Sequence, residues 1–230
     1  MSKAVVLGTS EAVGSNNIGD AIYKNLKDHG WEVVPSHCWD EDARGYRIPN
    51  FKYADTQALV VTLGMAQSEP WLQSDFELDV AAVVHASLLL PLAALHQWAQ
   101  ERQQDGTAVV IGSYAHDHVL THSTAYCAAK AGLAHAVRSL GWELAGHGLF
   151  FHIVHPYHVP STPMGKRVVQ SMMANRGMTL KEAEDYQRKD LALPDHLTPT
   201  EIAEYVGWLV RAPEAQWMSG QGLNLYGGVR

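Results

Sequence analysis

Three side chains between Ser113 and Lys130 combine a hydroxyl, a phenol and an amine at spacings that suit proton transfer. Tyr126 and Lys130 are four residues apart, so on a helix they share one face and the ammonium lies near the phenol. A phenol titrates near pH ~10 and works as an acid–base group at neutral pH only where a nearby cation stabilises its anion. Ser113 follows an apolar run, Thr107–Ile111, that predicts a buried strand. The set therefore predicts proton transfer to or from a substrate oxygen that the serine holds in place.

The composition favours a globular protein that acts on or binds small molecules. A chain of 230 residues can bury a core as one domain. Its net charge of −7, without a Lys/Arg run, argues against nucleic acid and anionic membranes as partners, because both reward clustered basic charge. Cys38 and Cys127 form neither a disulfide framework nor a zinc motif. The sequence shows no signal-peptide pattern and no apolar segment of membrane-spanning length, which predicts a cytoplasmic protein.

The first third has the pattern of a nucleotide-binding turn. The apolar run Ala4–Leu7 predicts a buried parallel strand, and an amphipathic helix is predicted from Ile18 to His29. Between them lies the sequence GTSEAVGSNNIG, Gly8–Gly19. A glycine-rich turn at this junction lets a dinucleotide pyrophosphate approach the backbone and the helix N-terminus. A plain polar turn is the alternative.

Strands and helices alternate along the remaining sequence. Further strands are predicted at Trp31–Pro35, Ala58–Val61, Leu149–Val154 and near the end of the chain, and further helices at Asp75–Gln100, Tyr126–Ala145 and Thr200–Arg211. Residue Pro91 is expected to kink the long helix. The alternation predicts a doubly wound parallel sheet with helices on both faces.

Residues 163–198 form a connection that is long for a compact domain. Two short helices are predicted within it, Met164–Asn175 and Thr179–Lys189. Long insertions over the carboxyl edge of a sheet are commonly lids, so this segment is predicted to cover the substrate. Its four methionines could provide an adaptable apolar surface or simply fill gaps.

Histidines cluster after two of the predicted strands. They are His116, His118 and His122 after one strand, and His152, His155 and His158 near the next. A metal site is one interpretation, since His-x-His can chelate, but no acidic or thiolate partner accompanies these residues at a metal-binding spacing. We therefore predict no metal and interpret the histidines as the polar wall of a pocket.

The Ser113, Tyr126 and Lys130 spacing resembles that of the short-chain dehydrogenase/reductase family, in which a serine precedes a Tyr-x-x-x-Lys motif on a nucleotide-binding fold. The resemblance continues in order through Gly64, Pro156 and the terminal Gly-Gly pair. It implies a single Rossmann-type domain spanning residues 1–230, with NAD or NADP as cofactor. The implied reaction interconverts an alcohol and a carbonyl by hydride transfer. In it Tyr126 handles the proton, Lys130 lowers the pKa of the phenol and holds the nicotinamide ribose, and Ser113 orients the carbonyl.

The resemblance also implies a set of cofactor contacts, some of them on altered residues. The family's glycine loop is lengthened here, and Asn17 stands at its middle glycine. Thr62 replaces an asparagine and Tyr157 a glycine. His37 lies where an acidic residue would select NAD and a basic one NADP, so the choice stays open. The implied cofactor-binding residues are Gly8, Ser10, Asn17, Ile18, Gly19, His37, Thr62, Gly64, Tyr126, Lys130, Pro156, Val159 and Thr162.

Two further implications concern the sheet edge and the long helix Asp75–Gln100. Only Asp40–Thr56 separates the second and third strands, where family members usually have a helix–strand–helix, so a trimmed sheet edge is expected. The family's equivalent of the long helix packs in a subunit interface, which implies a homodimer or homotetramer. Counting back from Ser113 places His85 where the family has an asparagine in a proton relay. His85 could fill that role or be an ordinary core side chain.

A second hypothesis from another functional class stays open. The lengthened glycine loop, Thr62, His85 and Tyr157 suit a dinucleotide-binding regulatory or structural protein with weak or no catalysis. The retained Ser113, Tyr126 and Lys130 favour an enzyme, because a binding protein has no use for this set.

Overall fold

A parallel sheet of six strands forms the centre of the molecule. The structure, a computed structural model, describes residues 1–10, 14–40, 45–46, 51–66 and 69–228. Its strands are β1 (Lys3–Leu7), β2 (Glu32–Ser36), β3 (Trp39–Asp40), β4 (Gly45–Tyr46), β5 (Ala58–Val61), β6 (Gly106–Ile111), β7 (Leu149–Pro156) and β8 (Gly222–Leu225). The parallel sheet has the order β2-β1-β5-β6-β7-β8, while β3 and β4 pair with each other in antiparallel fashion. The prediction of a doubly wound parallel sheet is confirmed.

Helices follow the strands at the predicted places. They are α1 (Ile18–Asp28), α2 (Phe76–Arg102), α3 (Thr124–Leu144), α4 (Pro163–Arg176), α5 (Leu180–Arg188) and α6 (Pro199–Arg211). Side-chain caps fix several of their starts, because each cap satisfies a backbone N–H that has no partner within the helix. Thr179 and Thr198 each form a capping box, with Glu182 and Glu201 respectively, which is why α5 and α6 begin where they do.

The sheet is apolar on both faces because its strands have alternating side chains buried on opposite sides. In β1, Val5 and Leu7 belong to one core cluster, whereas Ala4 and Val6 belong to the other. The first cluster is completed by side chains of α2 and α3, namely Ala94, Leu95, Trp98, Leu133 and Val137. The second is completed by side chains of α1 and α6, namely Ile22, Leu26, Ile202, Ala203, Val206, Leu209 and Val210. Burying one such large aliphatic side chain contributes about 1.5–3 kcal/mol, so both layers fix the strands.

The helix α2 departs from regular α-helical geometry at two places. Its turns at Phe76–Ala81 and His85–Leu89 are π-helical, and Pro91 lies two residues after the end of the second of them. A proline inside a helix removes a backbone hydrogen bond and crowds the preceding turn, and a wider turn relieves that crowding. The expected irregularity at Pro91 is therefore accommodated by a π-turn.

The same helix corrects one expectation from the sequence. With 27 residues, Phe76–Arg102 is long and apolar enough to cross a membrane by length and composition alone, although no apolar segment of that length was expected. Only 33% of its most apolar window is buried inside the chain. The exposed side chains include Phe76, Leu78 and Leu89. An uncovered apolar face of this kind indicates a surface that contacts another apolar surface.

The trimmed sheet edge is confirmed in the described part of the chain, where β2 has β1 as its only neighbour in the sheet. Residues 41–44 and 47–50 of the connecting segment lie outside the described residues. Its last part, residues 51–57, is tied to α2. Trp98 Nε1 donates to Thr56 O at 3.2 Å, and Tyr53 N donates to Glu101 Oε2 at 2.5 Å. These bonds hold residues 51–57, which form no helix, against α2. Family members usually have a helix in this part of the sequence.

Gly106 at the start of β6 tests how tightly this layer is packed. A Cβ at Gly106 would lie 2.6 Å from Trp98 Cζ2, and the fully buried indole cannot move away. We expect Gly106→Ala to lower the free energy of unfolding by about 1–3 kcal/mol, the usual cost of overpacking. Gly146→Ala is the matched control, because nothing lies within 4 Å of the added methyl and Gly146 has no positive φ. Urea unfolding should show the control to be neutral or slightly stabilising, and equal effects of the two variants would contradict this account.

Candidate active site

A cleft of about 1070 Å³ opens at the carboxyl ends of four strands, where Gly8, Thr62, Gly112 and Pro156 contribute to its wall. Cavities for one small molecule run to ~1,000 Å³, so this volume suits a large cofactor together with a substrate. The cleft brings together nearly all of the residues that the sequence assigned to the site, namely Gly8, Ser10, Asn17, Ile18, Gly19, His37, Thr62, Gly64, Ser113, Tyr126, Lys130, Pro156, Val159 and Thr162. His85 is the exception among the assigned residues.

Lys130 joins the first turns of α3 to the end of β6. Its side chain is 2% exposed, its Nζ donates to Ile111 O at 3.0 Å, and the same Nζ lies 5.8 Å from the centroid of the Tyr126 ring. Burial lowers the pKa of Lys130 to about 8, because an ammonium is poorly solvated there. Tyr126 is 9% exposed and lies on the same helical face. The phenol and the amine are thus fixed next to the strand that leads into Ser113.

Ser113 is held by a buried histidine that sequence analysis had treated only as part of a pocket wall. Ser113 N lies 3.3 Å from His155 Nδ1, and the His155 ring stacks on His116 with centroids 3.6 Å apart. Burial, followed by repulsion from His116, lowers the pKa of His155 to about 3, so the ring is neutral. Its Nδ1 also lies 3.2 Å from Ser113 O, and the tautomer of the ring determines whether Nδ1 accepts from Ser113 N or donates to Ser113 O. Gly112 leaves room for the ring, because a Cβ there would clash with it. His155 therefore positions the serine without facing the cleft.

At the other end of the cleft, the turn after β1 depends on glycines. Gly8 has a φ of +96°, and a Cβ on it would clash with the Thr62 hydroxyl. A Cβ on Gly19 would lie 2.5 Å from Gly8 O, so α1 begins in direct contact with the turn. Thr62 Oγ1 donates to Leu7 O at 2.8 Å. The threonine that replaces the family's asparagine thus joins β1 to β5 with a side-chain bond.

The lengthened loop between Gly8 and α1 is organised by Asp20, a residue that the sequence analysis missed. Its buried carboxylate accepts bonds of 2.8 Å from the backbone N–H groups of Ser10, Gly14 and Ser15, and further bonds from the two serine hydroxyls. Burial alone would raise the pKa of Asp20, but the bonds from Ser10, Gly14 and Ser15 outweigh it and lower the pKa. The available signal was an acidic residue three positions after Asn17, the N-cap of α1. Residues 11–13 of this loop lie outside the described residues.

This end of the cleft fits a dinucleotide. Thr9 Oγ1 is buried in the cleft wall and has no hydrogen-bond partner among the described residues, as is expected of a polar atom that binds a ligand. His37 Nδ1 lies 3.1 Å from Thr9 O, and its ring also lines the cleft. The backbone N–H groups of Ile18 and Gly19 belong to the first turn of α1, whose donors have no partners within the helix. Such a turn favours a phosphate group.

His85 is placed outside the site. Its side chain is exposed and is absent from the cleft wall, so the geometry does not support a relay role for it. The buried polar residue on this turn is Ser87, whose Oγ accepts from Met65 N at 3.0 Å beside Gly64. A count along the sequence does not give the helix face here, because the π-turn at His85–Leu89 changes the register of α2.

Aromatic rings rather than a histidine cluster form the opposite wall. Tyr114 lies in the cleft wall, stacks on His118 with centroids 3.9 Å apart, and meets Tyr157 edge-on at 4.7 Å. Of the histidines that the sequence grouped near these two strands, only His158 lines the cleft. The others pack behind the wall or lie elsewhere. Tyr157, which replaces the family's glycine, is therefore a structural part of this aromatic layer.

The segment 163–198 covers the aromatic end of the cleft with α4 and α5. Met164 and Met172 reach the cleft, whereas Met173 and Met178 pack inside the segment against its own small core. Thr162 caps α4 by accepting from Gly165 N at 3.0 Å. Tyr186 and Gln187 of α5 also face the cleft. The segment thus contributes side chains of several kinds to the site.

The fold and the cleft define a dinucleotide-binding α/β protein, and comparison with known proteins gives its family. A family model described as enoyl-(acyl carrier protein) reductase matches residues 51–230. The chain belongs to the short-chain dehydrogenase/reductase family of NAD(P)-dependent oxidoreductases.

Individual relatives are distant. A 2-(S)-hydroxypropyl-CoM dehydrogenase from Xanthobacter autotrophicus is 28% identical over 150 residues, which cover 65% of this chain and 55% of that protein. The chain spans about half or less of the length of the curated relatives it matches. Among solved structures, a short-chain dehydrogenase family protein from Francisella tularensis gives a TM-score of 0.80 at 20% identity, covering 99% of this chain and 98% of that one. Actinorhodin polyketide ketoreductase with NADPH gives a TM-score of 0.80 at 21% identity, covering 99% and 96%. These structural similarities describe the fold.

The burial of Lys130 predicts a stability effect with a defined pH dependence. The folded pKa of about 8 lies below the unfolded value of ~10.4, so the unfolded chain binds more protons between these pH values. The charged amine therefore destabilises the cofactor-free protein below pH ~8, and this cost disappears as the pH rises towards ~10. We expect Lys130→Met to raise the free energy of unfolding by about 1–3 kcal/mol at pH 7, less at pH ~9.5.

Urea unfolding at the two pH values measures this effect. Lys24→Met, on the exposed side of α1, is the matched control and should change little at either pH. A Lys130→Met protein that is less stable than the wild type at pH 7 would show that the Ile111 contact outweighs the desolvation of the amine.

The charge of Asp20 has an effect of opposite sign, because it stabilises the folded chain whereas the charge of Lys130 destabilises it. Because its folded pKa is lowered below 3.8, its contribution to stability is present above that pH and is lost as the pH falls through the folded pKa. Asp20→Asn should lower the free energy of unfolding by about 1–3 kcal/mol at pH 7, since several loop donors lose an ionised acceptor. The difference from the wild type should shrink in acid. Asp28→Asn, at the exposed end of α1, is the control, and a pH-independent effect of Asp20→Asn would refute the role of its charge.

Proposed function

We propose that this chain interconverts an alcohol and a carbonyl on a small molecule with NAD or NADP, using Ser113, Tyr126 and Lys130 as its acid–base set. The observation that carries the proposal is that these three side chains line the same cleft as the Gly8 and Gly19 turn. A hydroxyl, a phenol and a buried amine next to a dinucleotide-type turn suit proton transfer coupled to a hydride.

The residues at the nucleotide end would hold the cofactor. Gly8, Ile18 and Gly19 would receive the pyrophosphate, and His37 would lie beside the adenosine ribose. Pro156, Val159 and Thr162, at the end of β7 and the start of α4, would border the nicotinamide. A nicotinamide bound there supplies or accepts the hydride. Since His37 is neither an acidic nor a constantly cationic selector, both NAD and NADP stay candidates.

The protein's own groups then perform the proton chemistry. In the reducing direction, Ser113 donates a hydrogen bond to the substrate carbonyl oxygen, and Tyr126 gives that oxygen its proton. Lys130, when charged, stabilises the phenolate that remains on Tyr126. In the oxidising direction the same phenolate accepts the proton of the alcohol. His155 holds the backbone of Ser113 from behind, which keeps the hydroxyl in one place during both directions.

The altered residues that favoured a non-catalytic binding protein have structural roles. Thr62 bonds the end of β1, Asp20 organises the lengthened loop, and Tyr157 packs into the aromatic wall. None of these replaces a group of the proposed acid–base set, which supports an enzyme over a binding protein.

We propose one domain over residues 1–230 with a substrate lid at 163–198, working in the cytoplasm as a homodimer or homotetramer. An apolar groove between α2 and α3 supports such an assembly, as do the exposed Leu89 and the 90% exposed Trp142.

Replacing Tyr126 by Phe tests the proposed reaction, because only the phenolic hydroxyl is removed. We expect kcat/KM towards a panel of ketones and secondary alcohols to fall roughly 10²–10⁴-fold, while NADH or NADPH binding, measured by calorimetry, changes less than about twofold. Tyr205→Phe on the surface of α6 is the control. Undiminished turnover in the Tyr126 variant would exclude the phenol as the acid. A wild-type protein that binds the dinucleotide but turns over no member of the panel would favour the binding protein.

A further inference from the structure

The segment 163–198 contributes mainly positive side chains to the cleft, although the whole chain has a negative net charge. The protein has a net charge of −7. Apart from Lys130, the charged residues that line the cleft are Glu69, Arg167, Arg176, Lys189 and Asp190. Three of the five are cations, and all three belong to the segment 163–198. An acidic protein that places cations around the entrance to its cleft attracts anions there.

Two of these cations converge on one phenol. Arg176 Cζ lies 4.9 Å and Lys189 Nζ 4.0 Å from the centroid of the Tyr186 ring. These cations, Arg176 first and then Lys189, lower the pKa of the Tyr186 phenol, although partial burial acts to raise it. The two side chains come from different helical ends, Arg176 from the last turn of α4 and Lys189 from the residue after α5. Tyr186 therefore fixes two cations side by side at the cleft.

Ion pairs among the described residues neutralise the positive charges of Arg176 and Lys189 only in part. Lys189 Nζ lies 4.0 Å from Asp190 Oδ2, at the outer limit of a salt bridge. Arg176 Nη2 donates to the carbonyl oxygen of Thr121 at 3.3 Å, and no carboxylate of the described residues pairs with it. Arg176 also compensates the dipole at the C-terminus of α4, which accounts for one cation at this place. It does not account for a second cation held against the same ring.

A neighbouring side chain provides an independent sign of a polar ligand. Gln187 is 2% exposed and lines the cleft, and its Oε1 has no hydrogen-bond partner in the part of the chain that the structure describes. A buried amide oxygen without a donor costs about 1–3 kcal/mol, which a ligand O–H or N–H would recover. The segment 163–198 thus lines the cleft with two donors for an anion and with an acceptor that lacks a donor among the described residues.

We propose that Arg176 and Lys189 bind an oxoanion of the substrate, a carboxylate or a phosphate monoester, while the reacting carbonyl lies at Ser113 and Tyr126. This inference rests on the proposed function, since that function places the carbonyl end. A planar guanidinium binds such oxoanions through paired hydrogen bonds, and the lysine adds a second charge. The chain then discriminates substrates by the anion at the lid rather than by the reacting group.

Matched pairs of probes test this inference with the full chain. One pair is 4-oxopentanoate and its methyl ester, with 5-oxohexanoate and its ester to vary the reach. The other pair is dihydroxyacetone phosphate and dihydroxyacetone, which separates a phosphate site from a carboxylate site. Binding to NADP⁺-saturated protein is measured by calorimetry, and turnover is measured with NADPH and NADH. The variants are the wild type, Arg176→Gln/Lys189→Gln, and Lys181→Gln as an exposed control on α5 that does not line the cleft.

We expect at least one anionic probe to bind the wild type roughly tenfold or more tightly than its neutral partner, as for hydrogen bonds to charged groups. The double variant should lose this preference through KM, with kcat little changed, and Lys181→Gln should keep it. Equal affinity for the members of every pair, or a preference that the double variant retains, overturns the inference. Anion-selective binding without turnover of any probe would instead overturn the proposed function, so the two failures are distinguishable.

Discussion

The buried ammonium of Lys130 is the constraint on which the active side of this molecule depends. A charge in a nearly water-free position is tolerated only where fixed acceptors face it, and here the acceptor is the carbonyl oxygen of Ile111 at the end of β6. That contact joins α3 to the end of β6, beside the packing of Leu133 and Val137 against the sheet. The helix start places Tyr126 and the strand end places Ser113, so the contact and the packing together hold the proposed acid–base groups in the same cleft. The buried ammonium lowers the stability of the folded chain, as is usual for functional groups that are desolvated before a ligand binds.

A second charge plays the complementary role at the nucleotide end. Hydrogen bonds from the loop lower the pKa of Asp20 despite its burial, whereas burial lowers the pKa of Lys130 by disfavouring the ammonium. The carboxylate gathers Ser10, Gly14 and Ser15 and thereby gives a lengthened loop a defined shape next to α1. Thr62 supports the same turn from the neighbouring strand. Where this chain departs from the family's glycine pattern, side-chain hydrogen bonds from Asp20 and Thr62 therefore hold the loop and the turn in place.

Regular patterns in the sequence predicted most of the fold, because burial imposes them. Continuous apolar runs such as Ala58–Val61 mark strands that are covered on both faces, and caps such as Thr198 mark helix starts. The register of α2 could not be predicted in the same way. Two π-turns shift its faces, so a position counted from Ser113 led to the exposed His85 instead of the buried Ser87. Asp20 was missed because its partners lie on both sides of the loop and only the folded loop shows them.

The two ends of the cleft differ in how far chemistry constrains their residues. Groups near the reacting carbon must occupy fixed positions relative to one cofactor, so Ser113, Tyr126 and Lys130 could be predicted from their spacing together with the family resemblance along the chain. The lid must only match one substrate, and its cations come from helix ends that no general spacing relates. Arg176 and Lys189 become a pair only because Tyr186 lies between them in the folded lid. The proposed anion site therefore depends on tertiary contacts of α4 and α5, whereas the proposed acid–base set follows from the local sequence around α3.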